Sequence, residues 1–151
     1  MRLYLVQHGQ AKTEDEDPLR PLTDQGVEDV VRVAHLALGH IGVGPGRVVH
    51  SGKTRARQTA EIWSGLIGCG VEEADELGPN DDPTVWGERL QETAHDLMVV
   101  GHLPHLGRLA GLLLTGAADR PVVRFRPGGL VALERTDAGW TVGAVLPPDG
   151  L

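Results

Sequence analysis

Three apolar runs of the chain end in polar residues that could carry chemistry. Leu3-Tyr4-Leu5-Val6 leads into Gln7-His8-Gly9, Val48-Val49 into His50-Ser51-Gly52, and Leu97-Met98-Val99-Val100 into Gly101-His102. A continuous apolar run closed by a small or polar residue reads as a buried strand of a parallel sheet. In such sheets chemistry sits just beyond the carboxyl ends of the strands. If the three strands are parallel neighbours, His8 and His102 meet at one sheet edge. Arg55, at the start of the helix that follows the second run, reaches the same edge. So does the N-terminus of a helix opening at Pro104. An arginine fork and a helix N-terminus both favour a phosphate-like dianion. A histidine held in line with the phosphorus of that anion can act as a nucleophile.

Other uses of these residues are weaker. A hydrolytic zinc site usually takes three protein ligands. His102 and His105 are separated by Pro104 and a helix start, and no carboxylate stands at ligand spacing beside either, so no metal is expected. Ser51 and Ser64 are the only serines, and Ser51-Gly52 lacks the Gly-x-Ser-x-Gly elbow of a serine nucleophile. His35, His40 and His95 read as surface residues, His50 as a packed strand-end residue, and Trp63 and Trp86 as core. Glu14-Asp15-Glu16-Asp17 reads as a solvated loop. If it rims the site, it repels small anions and tolerates a protein or basic substrate. Lys12 and Lys53, the only lysines, both lie near strand exits.

The elements that position these residues alternate along the chain. Thr23 reads as the N-cap of a helix from about Asp24 to Leu38, with Val27, Val30, Val31, Ala34 and Leu38 as its apolar stripe. A second helix carries Ala56, Thr59, Ala60, Ile62, Trp63 and Leu66 and stops at Gly68. Val71 to Ala74 is a weak strand. Thr84 reads as the cap of a third helix bearing Val85, Trp86, Leu90 and Ala94. Pro104 suits the first turn of a fourth, which closes at Gly116. The residues around Asp137-Ala138-Gly139 read as a hairpin. The expected fold is therefore α/β: a three-layer sandwich with a mostly parallel central sheet, helices on both faces and an antiparallel C-terminal addition. One domain over 1–151 is expected.

Composition sets limits on function. The chain is 40% apolar and 23% charged, as in ordinary globular proteins. Its net charge of −7 argues against nucleic acid or a membrane surface as partner, since both attract a basic face. Cys69 is the only cysteine, so no disulfide forms within the chain. With no apolar span of membrane length and no leader pattern at Met1, a cytoplasmic location is expected.

Together these residues resemble the histidine phosphatase superfamily, with its phosphoglycerate-mutase-like fold. That family opens with a strand ending Arg-His-Gly, here Gln7-His8-Gly9. Its second signature, Ser-x-x-x-Arg-Ala-x-Gln-Thr-Ala, is matched from Ser51 to Ala60. Its third, Gly-His after a strand, is Gly101-His102. The small size and Arg20-Pro21-Leu22-Thr23-Asp24-Gln25-Gly26 resemble the SixA-like phosphohistidine phosphatases. The resemblance implies His8 as a nucleophile that is transiently phosphorylated, and Arg55 and His102 as catalytic groups on the phosphoryl oxygens. Gln7, Arg55 and Leu103 would bind the phosphate, and no cofactor is needed. The implied partner is a phosphorylated protein, for instance a histidine phosphotransfer domain, or a small phosphorylated metabolite. The departure is Gln7, where the family has arginine. Glutamine keeps a hydrogen-bond donor but loses the charge and the fork. Losing one charged donor at such a site costs about 10²-fold in rate. Lys12, Lys53 or His105 could restore the charge. Otherwise the protein is a slow enzyme, or a module that binds a phosphorylated ligand without turnover.

Overall fold

The computed structural model describes residues 1–149. Gly150 and Leu151, the last two of the expected domain, lie outside the described residues. Elements follow in the order β1 (Arg2–Gln7), α1 (Asp24–His40), β2 (Arg47–His50), α2 (Thr54–Ile67), β3 (Gly70–Glu73), α3 (Pro83–Glu92), β4 (Leu97–Gly101), α4 (His105–Thr115), β5 (Leu130–Thr136) and β6 (Gly139–Leu146). The strands form one sheet in the order β3-β2-β4-β1-β5-β6. β1, β2, β3 and β4 run parallel, and β5 and β6 add antiparallel. This is the expected α/β sandwich.

The register explains why the strand exits converge. β4 lies between β1 and β2, pairing Gln7 with Gly101 and His50 with Val100. Side chains alternate across a strand. Tyr4, Val6, Val48, Met98 and Val100 pack under α1 and α2 with Val30, Ala34, Ala60 and Trp63. Leu3, Leu5, Val49, Leu97 and Val99 pack under α3 and α4 with Trp86, Leu90, Leu106 and Leu109. Strands buried on both faces read as unbroken apolar runs, which made them visible in the sequence.

Two local expectations are corrected. Asp82, not Thr84, caps α3: its side chain accepts the N–H of Thr84, and Pro83 takes the first helical position. The buried face of α1 is Gly26, Val30, Val33, Ala34 and Ala37, and Val27 is turned to solvent. The expected stripe is Val27, Val30, Val31, Ala34 and Leu38, but the helix is rotated to bring Gly26, Val33 and Ala37 inward. A methyl group at Gly26 would collide with the carbonyl of Gln10. Thr23 caps the helix by accepting from the Gly26 N–H at 3.0 Å. Gly26 thus lets α1 start directly against the chain leaving β1. Gly26→Ala is expected to destabilise the protein by about 1–3 kcal/mol, as overpacking does. Urea denaturation checks this, and an unchanged midpoint would contradict the close approach.

Candidate active site

The exit of β1 is fixed by backbone contacts. His8 N–H donates to Gly101 O at 3.0 Å, and Gly128 N–H donates to the carbonyls of Gln7 and His8 at 3.0 and 3.1 Å. Gly9 N–H donates to Thr59 Oγ1 on α2 at 3.0 Å. The His8 ring is oriented by its own neighbour: Nδ1 lies 2.8 Å from the carbonyl of Gly9. A carbonyl only accepts, so the neutral ring carries its hydrogen on Nδ1 and keeps a free lone pair on Nε2.

His102 stands beside it. The two rings have centroids 5.1 Å apart and are tilted by 51°. His102 is 1% exposed. Its Nε2 is 2.6 Å from Ser51 Oγ, which also accepts the Lys53 N–H. Ser51 Oγ can give its own hydrogen to Nε2, and in that arrangement the neutral His102 ring carries its hydrogen on Nδ1. That Nδ1 is buried without a partner among the described residues, and so are Arg55 Nε and Gln7 Oε1. Buried polar atoms are usually satisfied. Three such atoms lie at this sheet edge, and Arg55 Nε is a donor suited to an anion.

Burial governs protonation here. His8 is pushed down to about 4, first by burial and then by the charges of Arg55 and Arg20, while its Gly9 bond works the other way. His102 is pushed down to about 3 by burial, then by His8 and Arg55. Both rings are therefore neutral near pH 7. Burial and the charge of Arg20 also lower Arg55, and Glu14 opposes them. A dianion set among these groups would favour their charged forms.

His8, His102 and Arg55 thus converge, as the strand exits suggested. Gln7 is buried at the end of β1. Leu103 sits exposed in the β4–α4 turn, and since its side chain has no donor, any hydrogen bond it gives an anion comes from its main chain. Of the three groups suggested to restore the charge missing at position 7, His105 does not qualify. It is fully buried and held below the ordinary histidine value by burial, hence neutral. Lys12 and Lys53 are exposed. The charge of Lys53 reaches His102. Sequence reading missed Arg20 as a site residue, although its charge reaches both His8 and Arg55. Its signal was the motif Arg20-Pro21-Leu22-Thr23. Of the acidic loop, Glu14 is near enough for its charge to act on Arg55. An open hollow of about 500 Å³ adjoins Ser51, lined by Gly52, Lys53 and residues 74–81. Among the described residues, no three His, Cys, Asp or Glu side chains group to hold a metal, and no helix is long and apolar enough to cross a membrane.

No family model and no curated protein sequence matches the chain. Solved structures do. The protein histidine phosphatase SixA complexed with tungstate aligns at a TM-score of 0.86 and 26% identity, over 99% of this chain and 98% of that one. A protein assigned as phosphohistidine phosphatase SixA from Agrobacterium tumefaciens aligns at 0.76 and 25% identity, over 97% of each. An alpha-ribazole phosphatase from Shigella flexneri aligns at 0.80 and 18% identity, over 98% and 97%, a likeness of fold alone. In fold and in the order of its motifs the chain is similar to SixA phosphohistidine phosphatases of the histidine phosphatase superfamily.

The buried histidines have a consequence for stability. Their folded values lie below the ordinary 6.5. Below pH 6.5 the unfolded chain therefore binds protons that the folded chain refuses, and stability falls as pH falls. Each such group contributes a slope of up to about 1.4 kcal/mol per pH unit. The melting temperature is expected to drop from pH 7 to 4.5, and less steeply in His102→Gln. Stability that stays flat or rises on acidification would contradict the burial of neutral rings.

Proposed function

We propose that the protein is a phosphatase with His8 as nucleophile, acting on phosphohistidine in a protein. The observation that carries this reading is the Nδ1–H bond from His8 to Gly9 O, with Nε2 left free beside His102 and Arg55. In the first step the Nε2 lone pair attacks phosphorus and the bond from phosphorus to the substrate nitrogen breaks. The substrate ring, protonated on its other nitrogen, leaves as neutral imidazole. His8 becomes a phosphoimidazolium, and Gly9 O stabilises its Nδ1–H. In the second step water adds to phosphorus and the bond to Nε2 breaks. His8 departs as the same neutral tautomer, the water's proton passing to a phosphoryl oxygen or solvent. No proton has to move at His8. A phosphohistidine substrate needs little acid assistance to leave. Arg55 and His102 Nδ1–H would hold the phosphoryl oxygens.

The acidic charge at Glu14 favours a macromolecular substrate over a small free anion. A second reading, a small phosphoester or phosphoramidate metabolite, draws support from the hollow beside Ser51. Phosphate release should be measured from a phosphohistidine phosphotransfer protein and from p-nitrophenyl phosphate. Release from the protein substrate is expected to be the faster, and His8→Ala should lower it by about 10⁴-fold or more, the scale of losing a nucleophile. Release that survives His8→Ala would overturn the assignment. Turnover of metabolites alone would favour the second reading.

A further inference from the structure

We propose that Arg20 supplies the second guanidinium of the phosphoryl site, taking over the charge that Gln7 lacks, an inference that rests on the anion site described above. The loop before α1 is folded back to deliver it. Ala11 and Leu22 form an antiparallel bridge, Lys12 N–H donates to Pro21 O at 2.8 Å, and Thr23 N–H donates to Gln10 O at 3.0 Å. Leu22 N–H donates to Gln58 Oε1 at 2.8 Å, tying the loop to α2 within a turn of Arg55. Arg20 itself is held at both ends. Its N–H donates to Asp17 O at 2.9 Å, and its Nε donates to Lys12 O at 3.0 Å.

Its backbone has φ +48°, a left-handed conformation that side-chain-bearing residues adopt at a cost. Glycine would sit there without strain, yet the chain carries arginine. Strain kept at a site residue points from geometry to use. The charge is also unspent. Four carboxylates precede Arg20 within six residues, and none of them forms an ion pair with it among the described residues. Glu16 is turned to Thr13 and Asp17 to the Leu19 N–H. With Nε on Lys12 O, the terminal nitrogens stay free to fork onto phosphoryl oxygens. Both His8 and Arg55 already feel this charge. Gln7, buried with Oε1 unpartnered, has only its amide N–H₂ to offer an anion.

Binding of inorganic phosphate by calorimetry tests this on the full chain, with p-nitrophenyl phosphate turnover alongside. Arg20→Gly should weaken phosphate binding by about 10- to 100-fold, the scale of one charge-assisted contact. Its melting temperature should stay within about 4 °C of wild type, since the substitution relieves φ. Arg20→Lys should recover part of the affinity. Gln7→Arg should strengthen binding strongly in the Arg20→Gly background and weakly in wild type, because the two guanidiniums serve one function. Phosphate affinity that is unchanged in Arg20→Gly but lost in Arg55→Ala would overturn the role of Arg20 and leave the site standing. So would equal gains from Gln7→Arg in both backgrounds. Affinity unaffected by either arginine would overturn the site as well.

Discussion

The hydrogen bonds around Gln7-His8-Gly9 tie the end of β1 to three other parts of the chain. β4 accepts from His8, α2 accepts from Gly9 through Thr59, and the turn before β5 donates to Gln7 and His8. With the peptide held this way, the Gly9 carbonyl faces its own neighbour's ring and sets the tautomer of His8. Every other part of the site is placed relative to this ring. The β1–β4 pairing sets His102 next to it, and the Thr59 bond brings the α2 turn that carries Arg55. Loosening any of these anchors would misplace the His8 ring, and with His8 as the proposed nucleophile an error of about 1 Å is expensive.

The same burial that orders the site sets its charge. Two adjacent histidines are kept neutral because a protonated ring would lose its water shell beside arginine. The bond to Gly9 leaves His8 with a free lone pair on Nε2. Positive charge then comes from arginine, which stays protonated under the same desolvation, and from the exposed Lys53. Gln7 brings no charge to the strand exit, and the guanidiniums whose charge reaches His8 are those of Arg55 and Arg20.

Much of this was legible in the sequence because it is local. Apolar runs such as Leu97–Val100 are strands buried on both faces, and the residue after each run lies at the reactive edge. The ten residues from Ser51 to Ala60 state the second motif almost completely. Features set by tertiary packing were less visible. The face of α1 follows from Gly26 meeting Gln10, not from the valine pattern. His105 looked like a charge donor because it lies near His102 in the chain, yet the fold buries it. Arg20 lies in a polar loop, where a charge reads as solvated. Its role depends on a left-handed residue and a chain reversal that no periodicity records.

The central claim is that His8 is a neutral imidazole with its hydrogen on Nδ1 and a free Nε2. A ¹⁵N spectrum of histidine-labelled protein, recorded from pH 7.5 downward, reads this atom by atom. The expected result is a protonated Nδ1 and a bare Nε2 that persists until the pH approaches about 4. A hydrogen on Nε2 at neutral pH, or protonation of His8 near the ordinary value of 6.5, would contradict it.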